Sequence, residues 1–277
     1  MRTGQRGFTL VELIVVIVLT GIIAGSVTIF FKPTIDAYFD ARRRAELTDV
    51  ADTVLQRISR DVRSAVPNSI RPPTVGNACF EFLPTSSGGR YRRAVDIARA
   101  DSSALDINQP ATTFDVLSPM ATPPAVGDWV VIGNQNTDEV YSGLNRSNIT
   151  LVAIPNAAVG TRTLSVAPYQ FTDSEPGGRF VVVPNNGGSP AMIYACDNPG
   201  VDANGNGTGT LYRVSRGFAN TLAACPGPAG GAVLATGVAG CAFDTVTRQG
   251  FITIQLVLSE AGESVAMAYG VHVSNVP

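Results

Sequence analysis

Histidine is almost absent from this chain: 277 residues contain one, His272. That excludes every mechanism or metal site that needs two imidazoles, and it leaves a Cys/His metal centre short of nitrogen ligands. Charge is also scarce, at 15% of residues and a formal net of −2. So near-neutral a balance gives no electrostatic case for nucleic acid as a partner. The four cysteines (Cys79, Cys196, Cys225, Cys241) are too few for a disulfide miniprotein and too far apart for a CxxC redox or zinc motif. No G-x-S-x-G, P-loop or H-E-x-x-H is present, nor a credible nucleophile–base pair. The expectation is a non-enzymatic protein without a cofactor or a metal. The length allows one large domain or two small ones.

What the chain does have is a long hydrophobic run at its start. Phe8 to Phe31 is apolar apart from a few small or hydroxyl residues and one charge, Glu12. Its residues span roughly 36 Å as a helix, enough to cross a hydrocarbon core of about 30 Å. Arg2 and Arg6 precede it without an acid, whereas Asp36 and Asp40 dilute Arg42, Arg43 and Arg44 after it. The positive-inside rule puts the leader in the cytoplasm and most of the chain outside, the arginine cluster opposing that orientation. A cleaved secretory signal is the alternative, since Ala24-Gly25-Ser26 is a passable cleavage site. The run is longer than the usual signal core of about 7–15 residues, continues past that site, and carries an acid near its start.

Glu12 needs a reason. A charge well inside a bilayer costs on the order of 2.5–3.5 kcal/mol, so either it snorkels at headgroup depth or it has a cationic partner. A cut before Phe8 would create such a cation as a free amine. The run G-F-T-L-V-E-L at 7–13, behind a basic leader, resembles the cleavage and methylation motif of type IV prepilins. The resemblance implies that prepilin peptidase cuts between Gly7 and Phe8 and methylates the Phe8 amine, and that Glu12 pairs with the amine of a neighbouring subunit. It also implies partners: other major and minor pilins through the N-terminal helix, an inner-membrane assembly platform, and the lipid bilayer. Localisation would be the bacterial inner membrane, single-pass with a periplasmic head, then the pilus fibre or tip.

Shorter pieces resemble the MshO family of minor pilin-like proteins of mannose-sensitive haemagglutinin (MSHA) pili. They are R-R-A-E-L-T-D at 43–49, P-N-S-I-R at 67–71, F-L-P-T at 82–85, G-G-R-Y-R at 88–92 and H-V-S-N-V-P at 272–277. The J-type pseudopilins of type II secretion are more distant relatives of that family and the nearest alternative. A pilus-tip adhesin binding carbohydrate or a surface is a second.

The implied organisation is a leader at 1–7, a transmembrane and assembly helix at 8–31, an amphipathic stalk helix at 32–66 and a β-rich head at 67–277. In the stalk, Leu47, Val50, Ala51, Val54, Ile58, Val62 and Ala65 form an apolar stripe. Arg57, Arg60 and Arg63 alternate with Asp52 and Asp61 in what reads as a solvated, mutually screened face. Pro33 should kink or break the rod, and Pro67-Asn68 should stop it.

The fold class is α+β, the long helix packed on a disulfide-containing head. Candidate strands are Ala78–Leu83, Trp129–Ile132, Thr163–Val166, Phe180–Val183, Met192–Ala195, Leu211–Val214, Phe251–Leu258 and Val265–Val273. E-A-G-E at 260–263 joins the last two as a hairpin, and one face of Phe251–Leu258 should bury against the stalk. Four cysteines in an oxidising compartment read as two disulfides, with Cys225–Cys241 and Cys79–Cys196 the preferred pairing. Asp202, Asn204 and Asn206 match the start of a calcium loop, but Arg213 stands where the bidentate acid belongs, so a plain turn is preferred. Arg90, Arg92 and Arg93 around Tyr91 read as a solvated hairpin tip rather than a phosphate or base contact. His272 reads as a surface or core-edge residue.

Overall fold

The structure, a computed structural model, describes residues 7–171, 175–245 and 250–274. Among the described residues, one long helix, α1 (Leu10–Arg63), leads into twelve strands, one short α-helix and a single 3-10 turn at Asn186–Gly188. The strands are β1 (Cys79–Phe82), β2 (Ser87–Arg90), β3 (Ala111–Val116), β4 (Trp129–Val131), β5 (Arg146–Ala153) and β6 (Arg162–Tyr169). After them come β7 (Arg179–Val183), β8 (Ala191–Asp197), β9 (Gly209–Arg216), β10 (Ala232–Asp244), β11 (Phe251–Glu260) and β12 (Glu263–His272). The short helix α2 (Glu139–Ser142) precedes β5. The α+β class holds: a long N-terminal helix followed by a β-rich head with two disulfides.

At 54 residues, α1 is about 81 Å long. It runs through Pro33 as one helix, so the expected break is absent. Pro33 removes one donor from the ladder, and one bond among about fifty is a small loss. Thr34 Oγ1 donates to the carbonyl of Phe30 across the same turn. The helix ends at Arg63, just before Pro67, and Asn68 turns the chain with a φ of 61°.

The distal half of α1 buries Leu47, Ala51, Val54, Leu55, Ile58 and Val62. Val50, expected in that stripe, is 43% exposed, and Leu55 takes its place at 0%. At about 100° per residue, Val50 lies roughly 100° from the centre of the buried face, whereas Leu55 lies within it. The stripe packs on a six-stranded antiparallel sheet of order β1-β8-β9-β10-β11-β12. Ile252, Ile254, Leu256 and Leu258 of β11 face the helix, as their alternation predicted. The β11–β12 hairpin closes on Ala261-Gly262 with φ of 49° and 84°, two left-handed residues as a type I′ turn requires.

A second antiparallel sheet, of order β2-β7-β4-β5-β6-β3, is inserted between β1 and β8 of the first. Its two edges meet. Tyr91 bridges Val116, Arg92 N–H donates to Asp115 O, and Leu117 N–H donates to Arg90 O. The sheet is therefore a small closed barrel, filled by Phe114, Val130, Ile149, Leu164, Phe180 and their neighbours. A smaller cluster, Val66, Leu83, Val131, Tyr141, Val183 and Ala191, joins barrel to sheet.

The disulfides are Cys79–Cys225, with a Cα separation of 5.6 Å, and Cys196–Cys241, at 6.4 Å. Both expected pairs are corrected, and strand pleating is the reason. Cys79 lies opposite Ala195 in register, so Cys196, the next residue of β8, points to the other face of the sheet. Cys79 packs with Ile193, Ala195, Tyr212 and Leu222 on the face away from α1, where Cys225 also sits. Cys196 belongs to the α1-facing core, with Cys241 against it. The Gly/Ala-rich stretch before Cys241 is strand β10 rather than a loop.

Candidate functional site: the N-terminal segment

The helix starts with a reciprocal cap. Thr9 Oγ1 accepts from the Glu12 N–H at 3.3 Å, and the Glu12 carboxylate accepts from the Thr9 N–H at 3.4 Å. This capping box satisfies two donors that the first turn leaves unpaired, and it places a negative charge at the positive end of the helix dipole. The box is legible as T-x-x-E before an apolar run, whereas the sequence alone gives Glu12 only headgroup snorkelling or a cationic partner. Upstream of the cap, Gly7 is exposed and Phe8 is 79% exposed, which leaves the Gly7–Phe8 bond open to solvent.

From Leu10 to Phe39 almost nothing is buried; Leu10, Ile23, Ile29 and Phe30 are all more than 60% exposed. An apolar surface this large, left uncovered, marks a membrane or helix-bundle contact in most proteins. The hydroxyls within it are satisfied internally: Thr20 donates to Val16 O, Ser26 to Ile22 O and Thr28 to Ala24 O. The rod therefore presents few unpaired polar groups to hydrocarbon or to neighbouring helices.

Further along α1 the charges sort themselves. Tyr194 O–H donates to Asp61 at 2.6 Å, and Tyr269 O–H donates to Asp52 at 3.1 Å. Burial, reinforced by the Asp61 charge, pushes the Tyr194 phenol well up; the Asp52 hydrogen bond raises that of Tyr269. Asp61 also lies 3.2 Å from Arg213. Asp52 and Asp61 thus tie α1 to the sheet, and the expected mutually screened face is corrected. Arg57, Arg60 and Arg63 are exposed, and Arg60 and Arg63, in the last turn, complement the negative C-terminal end of the dipole.

Elsewhere in the head, polar residues serve structure. Arg92 is no hairpin tip: its guanidinium meets the buried carboxylate of Asp115 at 3.1 Å and closes the barrel seam, with Tyr91 buried beside it. Arg90 and Arg93 stay exposed. Asp202 accepts from the N–H groups of Asn204 and Asn206, both at 2.8 Å, and those bonds hold its carboxyl below the usual range. Asn206 in turn accepts from the Ala261 N–H, docking the loop on the β11–β12 turn. Among the described residues no group of three or more His, Cys, Asp or Glu converges as metal ligands. His272 is exposed at the end of β12 and lies against Phe251.

One constellation escaped the sequence reading. Glu81 is fully buried on β1 and held by Arg71 at 2.7 Å and Arg216 at 2.5 Å. Arg71 also donates to the carbonyls of Ala219 and Asn220 and lies 3.5 Å from the centre of the Tyr141 ring. Nothing in the local pattern of any of these residues announces the triad, because its members come from three separate elements.

Residues 2–28 match the family described as the prokaryotic N-terminal methylation motif. Comparison with curated proteins and with solved structures gave no match. The N-terminal segment therefore carries the methylation motif of prokaryotic prepilin-like proteins, on a helix whose exposed apolar half fits membrane anchoring with the head outside.

Proposed function

We propose that this chain is a minor pilin of an MSHA-like type IV pilus. The observation that carries the reading is the coincidence of the methylation motif at 2–28 with an uncovered apolar rod capped by Thr9 and Glu12. Prepilin peptidase cuts between Gly7 and Phe8 and methylates the Phe8 amine. The rod holds the head at the outer face of the inner membrane until the assembly platform moves it into a bundle of other pilin helices. There Glu12 meets a neighbour's N-terminal amine in low dielectric, and a subunit out of axial step leaves both charges unpaired. The MSHA assignment rests on the sequence pieces at 43–49, 67–71, 82–85, 88–92 and 272–277. The large two-module head suits a sparse subunit at the tip or in the initiation complex better than a repeating one.

Glu12→Gln tests the assembly role. The variant should still be cut and methylated, while its amount in sheared filaments falls at least ten-fold relative to the major subunit. Unchanged incorporation of the variant, or filaments that form without the wild-type chain and never contain it, would overturn the reading.

A further inference from the structure

The chain contains three Asn-Gly steps: Asn186-Gly187, Asn204-Gly205 and Asn206-Gly207. Asparagine followed by glycine is the pairing most open to attack of the backbone on its own side chain, because glycine puts no Cβ beside the attacking nitrogen. By sequence the three steps are equivalent. The fold separates them.

Asn206 is held at every reacting group. Its Nδ2 donates to Asp202 at 3.1 Å and its Oδ1 accepts from the Ala261 N–H at 2.8 Å. The Gly207 N–H that would attack it donates instead to Ser259 O at 2.8 Å. At Asn204 the attacking N–H is also taken, since Gly205 donates to Asp202 O at 3.1 Å. Gly205 lies against Gly262 and Gly207 against Gly237, too closely for a side chain at either, so neither backbone is free to swing.

Asn186-Gly187 differs on each count. Both residues are exposed, and among the described residues neither the Asn186 side chain nor the Gly187 N–H has a hydrogen-bond partner. A Cβ added at Gly187 or Gly188 would meet nothing within 4 Å. Asn186 and Gly187 have φ of 46° and 67°, a left-handed turn that these two residue types tolerate best. The turn therefore selects the reactive pair and leaves it unprotected.

We propose that Asn186 is a self-modification site, deamidating spontaneously in the folded protein to a mixture of aspartate and isoaspartate. The Gly187 nitrogen gives up its proton and attacks Cγ of Asn186; the N–Cγ bond forms, the Cγ–Nδ2 bond breaks, and the amide leaves with a proton as ammonia. Water, the only co-reactant, then opens the cyclic imide. Cleavage at N–Cγ leaves aspartate, and cleavage between that nitrogen and the former main-chain carbonyl carbon leaves isoaspartate.

The position gives the reaction a consequence. Two chain crossings join the barrel to the α1-facing sheet, at 83–86 and 184–190, and Asn186 lies in the second. Asn185 clamps that crossing: its N–H donates to Asp128 at 3.0 Å and its Oδ1 accepts from Trp129 Nε1 at 3.3 Å. Its carbonyl accepts from the N–H groups of Gly188 and Ser189, both at 2.9 Å. Isoaspartate adds a main-chain carbon inside the loop that those two bonds close, and so disrupts them. The inference uses the head alone and stands apart from the pilin reading.

The test is peptide mapping of the full chain, folded in detergent with both disulfides intact, over a time course in neutral and mildly alkaline buffer. Deamidation is read from the mass change, and isoaspartate by labelling with an isoaspartyl methyltransferase. Asn186 should convert at least about ten-fold faster than Asn204 or Asn206, whose reaction waits on local opening. Its rate should rise with pH, because the attacking nitrogen must lose its proton. Asn186→Gly, which accepts a φ of 46°, should abolish the fast isoaspartate signal while both disulfides persist. In the urea-unfolded chain the three sites should converge. Asn204 or Asn206 keeping pace in the folded chain, a fast signal that survives Asn186→Gly, or an intact Asn186 where the unfolded chain converts would each overturn the proposal. So would a lead of Asn186 that persists undiminished in urea, since local sequence rather than the fold would then set the order.

Discussion

Replacing Glu81 by Gln is the most informative single perturbation of the head. The side chain keeps its shape, but the negative charge between Arg71 and Arg216 disappears. Glu81 is 0% exposed and the Arg71 side chain 5%, and Arg71 is fixed by two carbonyls and the Tyr141 ring, which leaves it only the exposed carboxylate of Asp138, at 3.6 Å, as a counter-charge. Arg216, at 29%, can partly follow its charge into water. Breaking a buried pair by removing one partner costs about 3–5 kcal/mol, and the mobility of Arg216 puts this case towards the lower end of that range. The assay is urea unfolding of the full chain in detergent, followed through Trp129, the sole tryptophan, which lies where barrel meets sheet. Arg216→Met and the double variant complete a cycle whose coupling should lie between about 1 and 3 kcal/mol. A loss below about 1 kcal/mol for Glu81→Gln would mean that the carboxylate is solvated, and the account of how the inserted barrel is held would fail.

Three further outcomes follow from the fold. Non-reducing peptide mapping should recover Cys79–Cys225 and Cys196–Cys241, and losing the former, which spans 146 residues, should cost about 2–5 kcal/mol of stability; a Cys225–Cys241 peptide would contradict the sheet register. Leu55→Ala should cost about 2–5 kcal/mol while Val50→Ala stays within about 0.5 kcal/mol, which denaturant midpoints can distinguish. Tyr194 has a raised phenol in the folded chain. The unfolded chain therefore releases that proton first above about pH 10, and stability present below that pH is lost as pH rises towards the folded value. Tyr194→Phe should flatten this alkaline slope, and an unchanged slope would mean that the Asp61 hydrogen bond does not form.

Much of the architecture was legible because its signals are local. The apolar run, the stalk periodicity, the E-A-G-E turn and all eight candidate strands depend on neighbouring residues. What stayed hidden has a common cause. Three of the four missed strands, β3, β5 and β10, contain register shifts at 111/113, 149/151 and 238/240, and a bulge breaks the two-residue alternation that reveals a strand. The fourth, β2, is a four-residue S-G-G-R with no apolar side chain. Missing them hid the barrel. The disulfide pairing failed for the same reason, since it depends on which face of the sheet each cysteine takes. At the N-terminus the motif residues were legible together, whereas the second role of Glu12, as half of a capping box, emerged from the geometry of the first turn.

The most direct measurement is the N-terminus of the protein taken from its own envelope, by intact mass and peptide mapping, beside cells that lack prepilin peptidase. The account predicts a chain that begins at N-methylated Phe8 and appears only where the peptidase is present. A retained leader in peptidase-positive cells, or a chain that begins near residue 27, would contradict it.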